Sequence, residues 1–236
     1  MSSEPLRPRV RAVGLARGAS QFAGVLLHGR GRTPEEKIDL AARFGKIEGI
    51  RWVVPEAETP GSWYPGRFWD SREVNEPYLS QAVERCHEAV LEASEKSDAS
   101  EKSEASKPGR LGSERLVIVG FSQGACLALE YALRHPGQVG SLIVFTGALM
   151  GFPGSDWKAT APRSLAGLRV LLTGSDVDDW VPETNSHEAA RLFRELGADV
   201  QLRIYPGRPH IVSEEEIDEA RYFLETWIQM TAGVRR

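Results

Sequence analysis

A serine, a group of aspartates and a histidine each follow an apolar run in this chain. Ser122 follows Leu116–Phe121, Asp176, Asp178 and Asp179 come soon after Leu168–Leu172, and His210 comes soon after Val200–Tyr205. A serine hydroxyl is a weak nucleophile at neutral pH. It becomes effective when an imidazole within hydrogen-bond reach takes its proton and a carboxylate orients that imidazole. These three residue types can therefore perform acyl transfer: attack on a carbonyl, a covalent acyl intermediate, and release by water. His210 is the expected base. The three aspartates are locally equivalent candidates for the orienting acid, and those not so used would be turn formers.

The immediate surroundings of Ser122 strengthen this reading. Gly120-Phe121-Ser122-Gln123-Gly124 joins a strand-like run to the helix-forming Ala125–Leu133. That is G-x-S-x-G in its strand–turn–helix context, with glycines where strand and helix come too close for a Cβ. The attacked carbonyl develops negative charge, so two backbone donors must face it. The residue after the nucleophile, Gln123, supplies one N–H at a helix N-terminus. The loop His28-Gly29-Arg30-Gly31, after an earlier apolar run, can supply the other from Arg30; each donor is typically worth about 3 kcal/mol in the transition state. This loop lacks both G-x-G-x-x-G and G-x-x-x-x-G-K-[ST], which argues against a phosphate cradle. Of the other histidines, His28 is read as shaping the oxyanion loop and His135 as a helix C-cap. His87 and His187 fall in helical patterns and are read as surface residues.

Apolar strand-like runs at 22–27, 50–54, 116–121, 139–145, 168–172 and 200–205 alternate with helical patterns, and Val10–Ala16 reads as a short edge strand. Alternation of this kind implies an α/β class with a mostly parallel sheet and helices on both faces. Ligands in such sheets bind beyond the carboxyl ends of the strands, where the serine, aspartates and histidine fall. Thr33-Pro34-Glu35-Glu36 and Ser213-Glu214-Glu215-Glu216 both read as helix starts of the capping-box type. Residues 56–72 have no periodicity and carry Trp63, Tyr64, Phe68 and Trp69. A long aromatic loop serves as a lid or pocket wall, or else plugs the edge of the core; Trp63 and Tyr64 are the expected substrate-binding residues.

At 236 residues, with 41% hydrophobic and 26% charged content, the chain reads as one domain, 1–236. Ala93-Ser94-Glu95-Lys96-Ser97-Asp98 is nearly repeated from Ala99. That low-complexity tract, at about 93–110, has no apolar side to bury and reads as a disordered insertion in a surface loop. The first residues, to about Pro8, read as loosely held, and 150–164 as loop. A net charge of −4 and a pI near 5.8 give no reason to expect nucleic acid or an anionic membrane as partner. No apolar run approaches the ~20 residues of a membrane span, and the first residues lack the apolar core of a secretory signal. Neither of the two cysteines has metal-ligand spacing. The expectation is a cytoplasmic protein with reduced thiols, no metal and no cofactor.

The chain order Ser…Asp…His is that of the α/β-hydrolase fold. Leu26-Leu27-His28-Gly29-Arg30-Gly31, Trp63-Tyr64, Gly120–Ala125, Asp178-x-x-Val181-Pro182 and Tyr205-Pro206-Gly207-x-x-His210 together resemble the phospholipase/carboxylesterase family of α/β hydrolases. That family includes acyl-protein thioesterases and small bacterial carboxylesterases. The resemblance runs from about Gly24 to Trp227. It implies cofactor-independent hydrolysis of esters or thioesters, an apolar acyl groove, and Asp178 as the triad acid. The family usually has proline next, where this chain has Asp179. Arg208 and Pro209 are expected at the rim of the groove. Two further readings are a dienelactone-hydrolase-like lactonase and a catalytically silent small-molecule-binding protein of the same fold. The first typically carries cysteine at the apex, and the second often lacks a triad member; here the apex is serine and no member is missing from the sequence.

Overall fold

A computed structural model describes residues 10–96, 109–151, 155, 157 and 164–233. The expected loose start, the middle of the low-complexity tract and most of 150–164 lie outside them. Seven strands form one sheet in the order β1-β3-β2-β4-β5-β6-β7. They are β1 (Val10–Gly14), β2 (Phe22–Leu27), β3 (Ile50–Pro55), β4 (Leu116–Phe121), β5 (Ser141–Phe145), β6 (Arg169–Gly174) and β7 (Asp199–Ile204). Only β1, at the edge, runs antiparallel to its neighbour. This is the α/β-hydrolase architecture. The helices are α1 (Pro34–Arg43), the one-turn α2 (Arg72–Asn75), α3 (Tyr78–Ser94), α4 (Gln123–Arg134), α5 (Glu183–Glu195) and α6 (Glu214–Gly233).

Each strand from β2 to β6 is buried on both faces, which is why these strands read as continuous apolar runs rather than alternating ones. In β4, Val117, Val119 and Phe121 pack with α1 and α6. Leu116 and Ile118 pack on the other side with α3, α4 and α5. Two apolar cores therefore sandwich the sheet. Lys37, on the buried side of α1, places its ammonium 5.1 Å from the centre of the Phe121 ring, and burial pushes it down to about 7. Thr33 caps α1 with its backbone alone; its side chain makes no capping hydrogen bond. The Ser213 box forms in full: Ser213 N–H donates to Glu216 Oε2 (2.9 Å) and Glu216 N–H to Ser213 Oγ (3.2 Å).

Strand β5 begins at Ser141, two residues later than the apolar run suggests; Gly140 N–H instead donates to Leu116 O at 3.0 Å. Before α3, the chain makes the extra turn α2. Ala93 and Ser94 belong to the last turn of α3, not to the low-complexity tract. Lys96 N–H donates to Gly109 O (2.9 Å) and Leu111 N–H to Ser94 O (2.7 Å), so both ends of the tract are pinned at the same point. His87 is half-buried rather than on the surface: Nδ1 lies 3.1 Å from the Tyr131 hydroxyl and its ring stacks on His135 at 4.6 Å. Among the described residues no helix is long and apolar enough to cross a membrane.

At the β4–α4 turn backbone packs directly on backbone. A Cβ on Gly124 would lie 2.4 Å from Leu27 O, and one on Gly120 would lie 2.4 Å from Gly124 O. Both obstacles are backbone, so neither can yield by a rotamer change. Gly124→Ala should therefore cost about 1–3 kcal/mol, the usual range for overpacking, as a lower urea midpoint. An unchanged midpoint would show that the β2–α4 contact is looser than this.

Candidate active site

Ser122 links β4 to α4 with φ +53° and ψ −119°. This conformation is costly for a residue with a Cβ, and it is held by hydrogen bonds on both sides. Ser122 N–H donates to Phe145 O on β5 (3.0 Å), and Cys126 N–H to Ser122 O (3.0 Å). The turn lifts the hydroxyl off the sheet to within 2.9 Å of His210 Nε2. On the far side of the imidazole, Nδ1 lies 2.9 and 2.8 Å from Asp178 Oδ1 and Oδ2. The β4, β6 and β7 ends thus bring Ser122, Asp178 and His210 into one hydrogen-bonded line, although 88 residues separate Ser122 from His210 in sequence.

The three aspartates, equivalent in sequence, are not equivalent in space. Asp178 is buried, and its Oδ1 also accepts the N–H groups of Trp180 and Val181, each at 2.9 Å. Burial raises its carboxyl, but the hydrogen bonds from His210, Val181 and Trp180 outweigh that and hold it below the ordinary value. Asp178 therefore stays anionic beside the imidazole. Asp176 is exposed and accepts the Gly207 N–H at 2.7 Å, tying its turn to the loop that carries His210. Asp179 is exposed on the same turn.

Arg208 does not stand at a groove rim. It is buried and points inward, and it fixes the loop on which His210 sits. Its guanidinium donates to Pro209 O (2.7 Å), Ile211 O (2.6 Å) and Thr146 Oγ1 (2.7 Å). Its Nε lies 3.1 Å from Glu216 Oε2, and Ser175 Oγ donates to Arg208 O at 2.6 Å. Glu216 is fully buried and accepts from Thr173 Oγ1 at 2.6 Å. One buried ion pair thus joins β6, the post-β5 turn, the His210 loop and α6.

Arg30 and Gln123 both reach the same wall of the site. Gln123 opens α4, where first-turn N–H groups have no partner within the helix. Its side chain has a second role that no motif signals. Oε1 accepts the Trp63 N–H (3.1 Å), and Nε2 donates to Tyr64 O (2.8 Å). Arg30, in the β2–α1 loop, donates from its guanidinium to Pro65 O (2.8 Å), Tyr64 O (3.0 Å) and Gly66 O. The two residues singled out as oxyanion donors therefore grip one segment, 63–66, through their side chains.

A cavity of about 330 Å³ opens over Ser122, at the small end for small-molecule sites. Tyr64 lines it; Trp63 does not. Trp63 is buried behind the β2–α1 loop, stacked on His28 at 4.6 Å, with its indole N–H donating to His28 O (2.8 Å). Burial lowers the His28 imidazole. The remaining wall includes Arg67, Phe68, Trp69, Phe121, Cys126 and Trp180. The aromatic composition of 56–72 signalled the loop residues among these, but not which would face inward. Trp180 carried no signal beyond its closeness to Asp178. Cys126 is buried, and burial pushes its thiol up to about 11. Among the described residues no group of three His, Cys, Asp or Glu side chains could hold a metal.

Residues 11–228 match the family model described as Phospholipase/Carboxylesterase. The chain is 24% identical to a probable carboxylesterase of Oryza sativa, over 94% of this chain and 95% of the relative. It is also 24% identical to acyl-protein thioesterase 1 of Schizosaccharomyces pombe, over 86% and 90%. Among solved structures it is similar to a phospholipase/carboxylesterase from Dyadobacter fermentans. There the TM-score is 0.78 and the identity 30%, covering 92% of this chain and 95% of that one.

Removing one member of a buried ion pair leaves the other charge uncompensated, at a cost of about 3–5 kcal/mol. Glu216→Ala should lower stability on that scale in urea unfolding. It should also reduce turnover per folded molecule, because Arg208 loses the anchor that fixes the His210 loop. A variant as stable and active as the parent would show that the pair does not carry this loop.

Proposed function

This chain belongs to the phospholipase/carboxylesterase family, and from that premise we propose that it hydrolyses carboxylic esters or thioesters through an acyl-enzyme on Ser122. The observation that carries the assignment of roles is the Ser122–His210–Asp178 line, each link 2.8–2.9 Å long. His210 Nε2 takes the Ser122 proton as Oγ attacks the carbonyl. The Gln123 and Arg30 N–H groups face the developing oxyanion. His210 then returns the proton to the departing alcohol or thiol, and the same steps run with water to free the acid. Asp178 holds the Nδ1–H tautomer and balances the imidazolium. Tyr64 forms part of the substrate wall.

The acid is Asp178 in this reading because its carboxylate meets His210, whereas Asp176 bonds the Gly207 backbone. A cysteine nucleophile of the dienelactone-hydrolase kind is disfavoured by the serine at the apex and by the burial of Cys126. We also take 1–236 as a single catalytic domain, which the extent of the family match supports. A cytoplasmic setting is consistent with both cysteines being free and buried.

Ser122→Ala should abolish turnover of p-nitrophenyl butyrate, and Asp178→Asn should cost orders of magnitude in kcat by favouring the wrong imidazole tautomer. Asp176→Asn keeps an oxygen for the Gly207 N–H and should stay within a few-fold of the parent. The reverse ranking of the two aspartates would move the triad acid to Asp176, and near-parental activity in Ser122→Ala would remove Ser122 from the reaction.

A further inference from the structure

Among the described residues, the cavity over Ser122 is lined by three arginines, Arg30, Arg32 and Arg67, and by no aspartate or glutamate, in a chain whose net charge is −4. Arg32 faces Glu36 at 3.4 Å in an exposed pair. Arg30 directs its guanidinium at main-chain carbonyls, which orient the group without cancelling its charge. Arg67 is held differently. Its guanidinium carbon sits 4.6 Å from the centre of the Trp180 ring and 5.5 Å from that of Trp69. Asp70 is engaged by the Arg67 backbone N–H at 2.6 Å. Among the described residues no carboxylate lies within ion-pair distance of the Arg67 guanidinium. Contacts to ring faces steady the plane of a guanidinium while leaving its N–H edges available, and those edges match a carboxylate in a two-point fork.

Resting on the ester-hydrolase reading above, we infer that the ester cleaved here carries a carboxylate, gripped by Arg67 beside Trp69 and Trp180 while Ser122 meets the ester carbonyl. The two tryptophans are 40% and 49% exposed, so the anion docks at the mouth of the site and keeps part of its hydration, which limits the desolvation cost. The ester carbonyl lies deeper, against Phe121, Tyr64 and the elbow. A cavity of about 330 Å³ then holds a short linker between the two groups. The substrate class is a small carboxylate-bearing ester, either the half-ester of a dicarboxylic acid or the ester of a hydroxy acid.

Two matched pairs test this and separate the two forms. One pair places the charge on the acyl side: 4-nitrophenyl hydrogen adipate against 4-nitrophenyl hexanoate. The other places it on the alcohol side: 4-acetoxybenzoate against 4-tolyl acetate. In at least one pair kcat/KM should favour the anionic ester by about tenfold or more, a preference that shrinks as salt is raised. Arg67→Gln should bring that ratio down to about one. Because the ratio compares two substrates on one preparation, it does not depend on the fraction of folded enzyme. If both pairs are hydrolysed with no anionic preference, or if Arg67→Gln slows both members of a pair equally, the carboxylate inference is overturned while the esterase reading stands. If none of the four esters is turned over in a Ser122-dependent way, the esterase reading itself falls, and this inference with it.

Discussion

The close approach of three backbones at the β4–α4 turn governs the site. Gly124 lies against the carbonyls of Leu27 and His28, and Gly120 lies against the first turn of α4. With any side chain at those positions, α4 would have to move away from the end of β2. The β2–α1 loop and the N-terminus of α4, which the proposed mechanism needs side by side, would then separate. The positive φ of Ser122 belongs to the same constraint. A strand that must turn at once into a helix packed on its own neighbour has no room for an ordinary residue conformation at the apex.

From that fixed turn, the rest of the site is held by side chains that lock loops to one another. Arg208 and Glu216 tie the His210 loop to α6 and to Thr146 and Thr173 at the ends of β5 and β6. Gln123 and Arg30 tie segment 63–66 to the elbow and to the β2–α1 loop. Trp63 braces that loop from behind by stacking on His28. Preorganisation of this kind matters for acyl transfer, because donors aimed in advance at the developing charge need no rearrangement as the reaction proceeds. The β2–α1 loop, the elbow and segment 63–66 are one connected unit, so changes in segment 63–66 will be felt beside Ser122 as well as at the pocket wall.

Much of the fold is legible in the sequence because a doubly covered parallel sheet writes its strands as apolar runs closed by Gly, Pro or Asp. The elbow is legible because two glycines at fixed spacing, between a strand and a helix, mark the close backbone approach that such a turn requires. The choice among Asp176, Asp178 and Asp179 is not locally legible. It depends on which carboxyl the turn points inward, and the amides of Trp180 and Val181 decide that. Arg208 misleads for a related reason: a charged residue in a loop reads as exposed until its partner is known, and Glu216 comes from another element. In the aromatic loop no periodicity separates Tyr64, which faces the pocket, from Trp63, which faces the core. The burial of His87 likewise depends on α4, not on its own helix.

The proposed mechanism stands or falls on Ser122 as the acylated nucleophile, activated by His210 and Asp178. Reaction with a fluorophosphonate, followed by intact mass and peptide mapping, tests it most directly. The expected result is a single adduct on Ser122 of the peptide containing Gly120–Gly124, formed in step with the loss of esterase activity and absent in His210→Ala. An active enzyme that takes up no label, or one inactivated by an adduct on another residue, would contradict it.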